Sequence, residues 1–461
     1  MTFLIQLCLI HLAHAQLNTD TLFSQVIAAD MQQWYWAKDS DIVEMLTFLC
    51  RNEHRTSCQW NEYREKNGNS FAAAQKFFAK KCKKNELFSC VVEGWTLSQD
   101  TQSPGAPSSK ITDHKKAIQR FQKACNGDEQ RGCVELARYA RENINNAVSR
   151  NEAFDLLRNA CEKGNARGCF ELAASYMQGI GVRADKKESL KYLERACKNH
   201  EMLACSSLAM IKWEEQKTTT EEIKTLFDVA CESGVISACL QHANLLYQSN
   251  KHQQANALYD YSCKAEVFEA CTALGLQYTA GNGVQKDWFI AKNLFEKSCA
   301  SSSMLGCYML GRLHYYGYGT PQNWLEASNL FYQSCLGNIA DACTDLSFMY
   351  SDGQGLPTNN KKASTFASMG CKLGNMNACA EIGRRKMLGL GVPQDIVAAA
   401  NLFLQSCKAE IMAGCKSLGA LYLQGKGVPK DLPKAISYYQ IVCKSQDPEA
   451  CAILKKLRSQ K

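Results

Sequence analysis

Small, aromatic and cysteine residues return along this chain at helical spacing, always in the same order. Ala255, Tyr259 and Cys263 form one such set; Ala291, Phe295 and Cys299, then Ala327, Phe331 and Cys335, then Ala399, Phe403 and Cys407, then Ala435, Tyr439 and Cys443 repeat it. Ala153, Ala363 and Phe227 hold single places in the same columns. Steps of four residues place all three columns on one face of a helix, so each set predicts a first helix packed through that face. A second cysteine follows eight residues after the first, preceded in every case by Ala, Gly or Ser. Leu or Ile usually stands three residues after it, as in Leu172, Leu208, Leu274, Leu310, Leu346, Ile382 and Leu418. The small residue permits close approach and the Leu fills the core, which predicts a second helix starting near the second cysteine. That helix often runs into Gly-x-Gly, at Gly179 and Gly181, Gly281 and Gly283, Gly353 and Gly355, Gly389 and Gly391, and Gly425 and Gly427. Glycine accepts the left-handed backbone of a helix C-terminus, and Pro393 or Pro429 just beyond prevents continuation.

All but Cys8 of the 25 cysteines fall into pairs eight apart: Cys50 with Cys58, Cys82 with Cys90, Cys125 with Cys133, Cys161 with Cys169, Cys197 with Cys205, and Cys231 with Cys239. The series goes on with Cys263 and Cys271, Cys299 and Cys307, Cys335 and Cys343, Cys371 and Cys379, Cys407 and Cys415, and Cys443 and Cys451. First cysteines recur at intervals of 32, 43, 36, 36, 34 and 32 residues and then five times at 36. A fixed period of this length is the mark of a solenoid. One cysteine on the last turn of the first helix and one on the first turn of the second would bridge each antiparallel hairpin at its tight turn. Zinc sites favour two to four residues between ligands and haem attachment needs Cys-x-x-Cys-His, so neither fits. The expected fold is all-α, an α/α solenoid of about twelve hairpins over residues 38–461 with one disulfide per repeat.

So many cysteines point to an oxidising compartment, since reducing ones rarely keep them paired. The first residues, "MTFLIQLCLIHLAHA", carry an apolar run from Phe3 to Leu12 and then Ala13-His14-Ala15, which predicts a signal peptide over residues 1–15 cleaved after Ala15. No later segment has the 18 apolar residues of a membrane span, and no Asn is followed by x-Ser or x-Thr. The expected location is secreted or periplasmic. A net charge of +8 reads as a solvated surface, and no nucleic-acid partner is expected. Residues 16–37 predict an N-terminal cap in which Trp34, Tyr35 and Trp36 pack on the first hairpin. "SQDTQSPGAPSS" fills the longest interval and predicts a flexible insertion near 98–109.

Ala-Cys-x-x-Leu-Gly-x-x-Tyr followed by Gly-x-Gly-Val, matched by "ACAEIGRRKMLGLGVPQD" at residues 378–395, resembles the Sel1-like repeat, a relative of the tetratricopeptide repeat. With a cysteine pair in every repeat and a signal peptide, the chain resembles the secreted Helicobacter cysteine-rich protein family. A cysteine-rich Sel1-like protein of the mitochondrial intermembrane space is similar too, although this leader has a secretory pattern. The resemblance implies a right-handed α/α superhelix outside the cytoplasm that makes protein or peptide contacts. It also implies an alternative, since some members are described as penicillin-binding with weak β-lactamase activity.

The residues speak against that alternative. A serine β-lactamase needs Ser-x-x-Lys with Ser-Asp-Asn and Lys-Thr-Gly, and the chain contains none of them. His54, His114, His200, His242, His252 and His314 are scattered singly, unlike a zinc site. His242 stands in the Leu column and His314 opens "HYYGYGTP", and both read as packed side chains. We expect no catalytic residue, cofactor or metal, and a monomer. One column points to binding: Asn293, Asn329 and Asn401, with Thr365 and Ser437 in the same register, stand six residues before a first cysteine, about 160° around the helix from its core face. A side-chain amide offers a donor and an acceptor together and matches one peptide unit. Set once per repeat along a concave wall, these residues are the expected contacts to the main chain of a protein or peptide ligand.

Overall fold

The computed structural model describes residues 71–98, 114–141, 148–216 and 221–458. Over them the repeated columns become eleven antiparallel hairpins made of 22 α-helices, with no strand among the described residues. The hairpins are α1 (Phe71–Lys83) with α2 (Leu87–Ser98), α3 (His114–Asn126) with α4 (Gln130–Arg141), α5 (Arg150–Glu162) with α6 (Ala166–Gln178), and α7 (Lys186–Lys198) with α8 (Met202–Gln216). They continue with α9 (Glu221–Glu232) and α10 (Ile236–Gln248), α11 (His252–Lys264) and α12 (Phe268–Ala280), α13 (Trp288–Ala300) and α14 (Met304–Tyr316), and α15 (Trp324–Leu336) and α16 (Ala340–Asp352). The last three are α17 (Asn360–Lys372) with α18 (Met376–Leu388), α19 (Ile396–Lys408) with α20 (Met412–Gln424), and α21 (Leu432–Lys444) with α22 (Pro448–Arg458). Packing divides the chain into two units, residues 1–245 and 246–461, and within each one successive hairpins stack as an α/α solenoid.

The columns do what their spacing predicts. Phe227, Phe295, Phe331 and Phe403 are fully buried, as are Ala255, Ala291, Ala327, Ala363, Ala399 and Ala435 beside them. The Gly that follows the Leu column has a stacking role: a Cβ on Gly275 would come within 2.5 Å of the Phe295 ring of the next hairpin, and one on Gly383 within 2.8 Å of Phe403. Gly here lets each hairpin lie directly under the next aromatic ring. First helices begin on Asp or Asn caps whose carboxylate or amide oxygen accepts from backbone N–H groups, as at Asp185, Asp287, Asn323, Asn359, Asp395 and Asp431. Such a cap is worth about 1 kcal/mol relative to Ala. Ser149 and Glu152 form a reciprocal capping box on α5.

Each second helix of the Gly-x-Gly hairpins ends on a left-handed glycine, and Gly317 with Gly319 joins the five pairs recognised above. The second glycine of each pair has its own cause. At Gly391, with φ +72°, a Cβ would lie 2.1 Å from the Asn360 carbonyl oxygen, so the loop rests against the start of the preceding first helix.

Eleven disulfides join cysteines eight apart, one in each hairpin, from Cys82–Cys90 to Cys443–Cys451, with Cα atoms 4.5–4.7 Å apart. The expected Cys50–Cys58 bridge, the signal peptide over 1–15, the cap over 16–37 and, apart from Ser98, the insertion near 98–109 lie outside the described residues.

Candidate ligand-binding face

The helices of each unit form two rows, and they are not equivalent. Second helices of successive hairpins approach one another, as α2 does α4, α4 does α6, α12 does α14, α16 does α18 and α18 does α20, whereas no pair of the described first helices comes as close. The second helices therefore form the inner row and the first helices the outer row.

Along the inner row, polar groups reach from one hairpin to the next. Tyr308 on α14 donates its hydroxyl hydrogen to Asp345 on α16 at 3.0 Å. Lys416 on α20 pairs with Asp447 at 3.1 Å and with Glu449 on α22 at 2.6 Å. In the first unit, Arg141 on α4 pairs with the buried Glu171 on α6, and Arg167 meets the same carboxylate at 2.8 Å. These acids share a register: Glu135, Glu171, Asp345 and Glu381 each stand two residues after a second cysteine. Burial pushes the Glu135 carboxyl up, with Arg138 and Arg167 pulling against it. Burial likewise raises Asp345 to about 6, opposed by the Tyr308 hydrogen bond and by Arg312.

Between these links the inner row of the second unit leaves apolar side chains in the open. On α16, Asp341, Asp345, Phe348 and Asp352 share one face by their spacing, and Phe348 is 38% exposed. Leu305 on α14 and Leu388 on α18 are more exposed still, with Arg312 and Arg384 on the same helices. An exposed Phe among three carboxyl groups, flanked by cationic helices, can hold an apolar side chain and orient charges around it.

The amide column lies elsewhere. Asn293 on α13, Asn329 on α15 and Asn401 on α19 are exposed and stand on first helices, in the row opposite the second helices. Their register mates are closed back on their own helices, Thr365 donating to the Lys361 carbonyl at 3.0 Å and Ser437 to that of Lys434 at 2.8 Å. His242 is half-buried with Nδ1 3.2 Å from Asp228, a packed and partnered histidine. Among the described residues no three His, Cys, Asp or Glu side chains gather as a metal site, and no helix is long and apolar enough to cross a membrane.

Residues 147–165, 166–200, 268–303, 305–337, 340–375, 377–410 and 413–447 match the Sel1 repeat. The chain is a Sel1 repeat protein. Each full match runs from a second helix of one hairpin to the first helix of the next, so the family's unit begins on the inner row. Among solved structures, this Sel1 array is similar to c5321, a protective antigen of uropathogenic Escherichia coli strains that displays an SLR fold, with 20% identity over 83% of this chain and 82% of that one and a TM-score of 0.65. A Sel1 repeat protein from Oxalobacter formigenes matches at 23% identity over 46% of this chain and 86% of its own, with a TM-score of 0.43. A search of curated proteins finds no match. Sel1 repeat proteins are generally non-enzymatic scaffolds that bind proteins, and a disulfide in every hairpin suits an oxidising extracellular or periplasmic environment.

Proposed function

We propose that this Sel1 array is an exported scaffold, secreted or periplasmic, that captures a protein or peptide on the concave inner row of its second helices. The observation that carries this reading is the exposed set Leu305, Phe348 and Leu388 on three neighbouring inner-row helices, set among Asp341, Asp345 and Asp352 with Arg312 and Arg384 to either side. A ligand with an apolar side chain next to basic ones complements the α16 face. The outer-row amides Asn293, Asn329 and Asn401 are proposed as a separate contact to partner main chain.

Panning a displayed random-peptide library on the disulfide-intact chain tests this. Enriched peptides should combine apolar and basic residues, and Phe348→Asp or Leu388→Asp should weaken their capture about tenfold or more, as removal of a central interface contact does. Asn329→Ala with Asn401→Ala should leave that capture unchanged. No enrichment over bare support sinks the proposal, as does turnover of nitrocefin by the same preparation, which would point to the penicillin-hydrolysing alternative.

A further inference from the structure

We propose that the seam where α11, α12 and the turn at Asn282 and Gly283 meet is a binding site for a primary ammonium group, carried by a small amine or by a lysine or N-terminus of a peptide. Five polar side chains belong to it: Tyr247 at the end of α10, His252 and Asn256 on α11, Gln277 on α12 and Asn282 in the turn. Asn256 donates from Nδ2 to the Asn282 carbonyl at 2.8 Å, and Asn282 donates from Nδ2 to the Tyr247 hydroxyl at 3.4 Å. The Asn282 N–H bonds to the Gln277 carbonyl at 3.2 Å. Tyr247 and His252 pack with ring centroids 4.9 Å apart, and a Cβ on Gly283 would come within 2.6 Å of the His252 Cβ.

Three acceptors are left over. Asn256 Oδ1, Gln277 Oε1 and His252 Nδ1 are buried and have no hydrogen-bond partner among the described residues. Asn256 and Gln277 are only 5% and 6% exposed. The orientation of both amides is fixed, because each nitrogen is engaged on a main-chain carbonyl, Gln277 Nε2 reaching that of Ala273 at 3.2 Å, and a flipped amide would set oxygen against oxygen. What remains of each amide is its oxygen. A buried oxygen without a donor forfeits its hydration and regains nothing from the protein.

The other hairpins of the second unit avoid this cost. The register of Gln277 otherwise holds buried Leu313, Met349, Leu421 and Leu457, and Arg385, which bonds to Glu381 at 2.6 Å and to Ser351 at 2.7 Å. The register of Asn256 holds Ala400 and Ile436, or side chains that are closed off: Lys292 pairs with Glu296 at 3.1 Å, Ser328 donates to the Leu325 carbonyl at 2.7 Å, and Ser364 donates to the Leu390 carbonyl at 2.6 Å. Ser364 makes the same bond as Asn256 without leaving an amide oxygen behind. The ligand must therefore bring donors. Three acceptors match the three N–H bonds of an ammonium group, and the Tyr247 ring beside His252 adds an aromatic surface that favours a cation. The polar contacts of the five residues include no carboxylate among the described residues, which disfavours a divalent cation.

An NMR titration of the full disulfide-intact chain, carrying isotope-labelled histidine, tests the site with methylammonium as probe and with tetramethylammonium and potassium as controls of equal charge that lack N–H bonds. Methylammonium should move the His252 imidazole signals saturably, those signals being assigned by their loss in His252→Phe, and neither control should. Gln277→Leu, the residue this register holds in α14 and α20, and Asn256→Ser, after Ser364, should each weaken methylammonium about tenfold or more, since a hydrogen bond from a charged donor is lost. Without amine, Gln277→Leu should melt no lower than wild type, because it removes a buried oxygen that has no partner. A lysine-containing peptide that binds more tightly than methylammonium, and no longer binds once its amines are acetylated, assigns a peptide as the source; equal affinity of the two assigns a free amine. A Gln277→Leu chain that melts lower without amine means that water alone serves the oxygen, and overturns the proposal. No response to methylammonium, an equal response to potassium, or a response that both variants keep overturns it as well.

Discussion

Asp345 shows how a single half-buried carboxyl can carry a cost on the inner row of helices. Its carboxyl titrates near 6 because burial disfavours the charged form more than the Tyr308 hydrogen bond and Arg312 favour it. The folded state therefore holds the proton more tightly than the unfolded chain does. Linkage gives the sign: stability is highest below about pH 4, falls as pH rises through the window from about 4 to about 6, and is level above it. At neutral pH the ionised group costs on the order of 3 kcal/mol. Asp345→Asn keeps an oxygen to accept from Tyr308 and removes the charge. It should raise the urea midpoint at pH 7.5 and leave it unchanged at pH 3.5. An equal shift at both values would show that the carboxylate is not strained by its surroundings. Neither this acid nor its register mates Glu135, Glu171 and Glu381 stood out in the sequence, because a carboxylate two residues after a cysteine has no signature until neighbouring second helices enclose it. Arg385 was hidden for the same reason: it is fully buried, bonded to Glu381 at 2.6 Å and to Ser351 at 2.7 Å, at a register that holds Leu313 and Leu421 in other hairpins.

At the scale of the element, the hairpin and its bridge were legible because a local period of four and a separation of eight leave little freedom once the cysteines are paired. Which row faces inward was not legible. It depends on the pitch between hairpins, and no single repeat encodes that, so the sequence alone does not set which side of the array the amide column of the first helices occupies. The turn within each hairpin also escaped the sequence reading. Three residues after each described first cysteine the backbone turns left-handed, at Gly164, Gly234 and Gly374 but also at Asn85, Asp128, His200, Glu266, Ser302, Asn338, Glu410 and Gln446. The N–H three residues beyond the helix then bonds back into its last turn, as from Ile411 to the Ser406 carbonyl at 3.0 Å. With such varied residues the position has no sequence signal, although each non-glycine there is strained. Glu410→Gly should therefore stabilise the α19–α20 hairpin by about 0.5–1 kcal/mol. The reverse change, Gly164→Ala, meets nothing within 4 Å and should destabilise through φ +88° alone. Thermal melts of the two variants should move in opposite directions.

For the whole molecule, stability in a repeat array is close to a sum of hairpin terms and contacts between neighbours. Each bridge closes a nine-residue loop, worth about 2–3 kcal/mol through the unfolded chain. That contribution is made separately in each hairpin, so the bridges guard against local opening more than they join distant parts. Reduction should then proceed hairpin by hairpin, limited by how readily each opens. Cys335 and Cys343 are fully buried inside a stacked pair of helices with neighbours on both sides. Cys443 and Cys451 are half-buried, in a hairpin whose second helix, α22, is the last one described. A thiol reductant cannot reach the first pair without unfolding its hairpin, whereas fraying of α22 exposes the second. Timed reduction with alkylation and mass spectrometry should trap Cys443 and Cys451 well before Cys335 and Cys343, and urea below the unfolding midpoint should narrow the gap. Simultaneous loss of all bridges would mean that the array opens as one cooperative body, and alkylated cysteines in the untreated protein would contradict the bridges themselves.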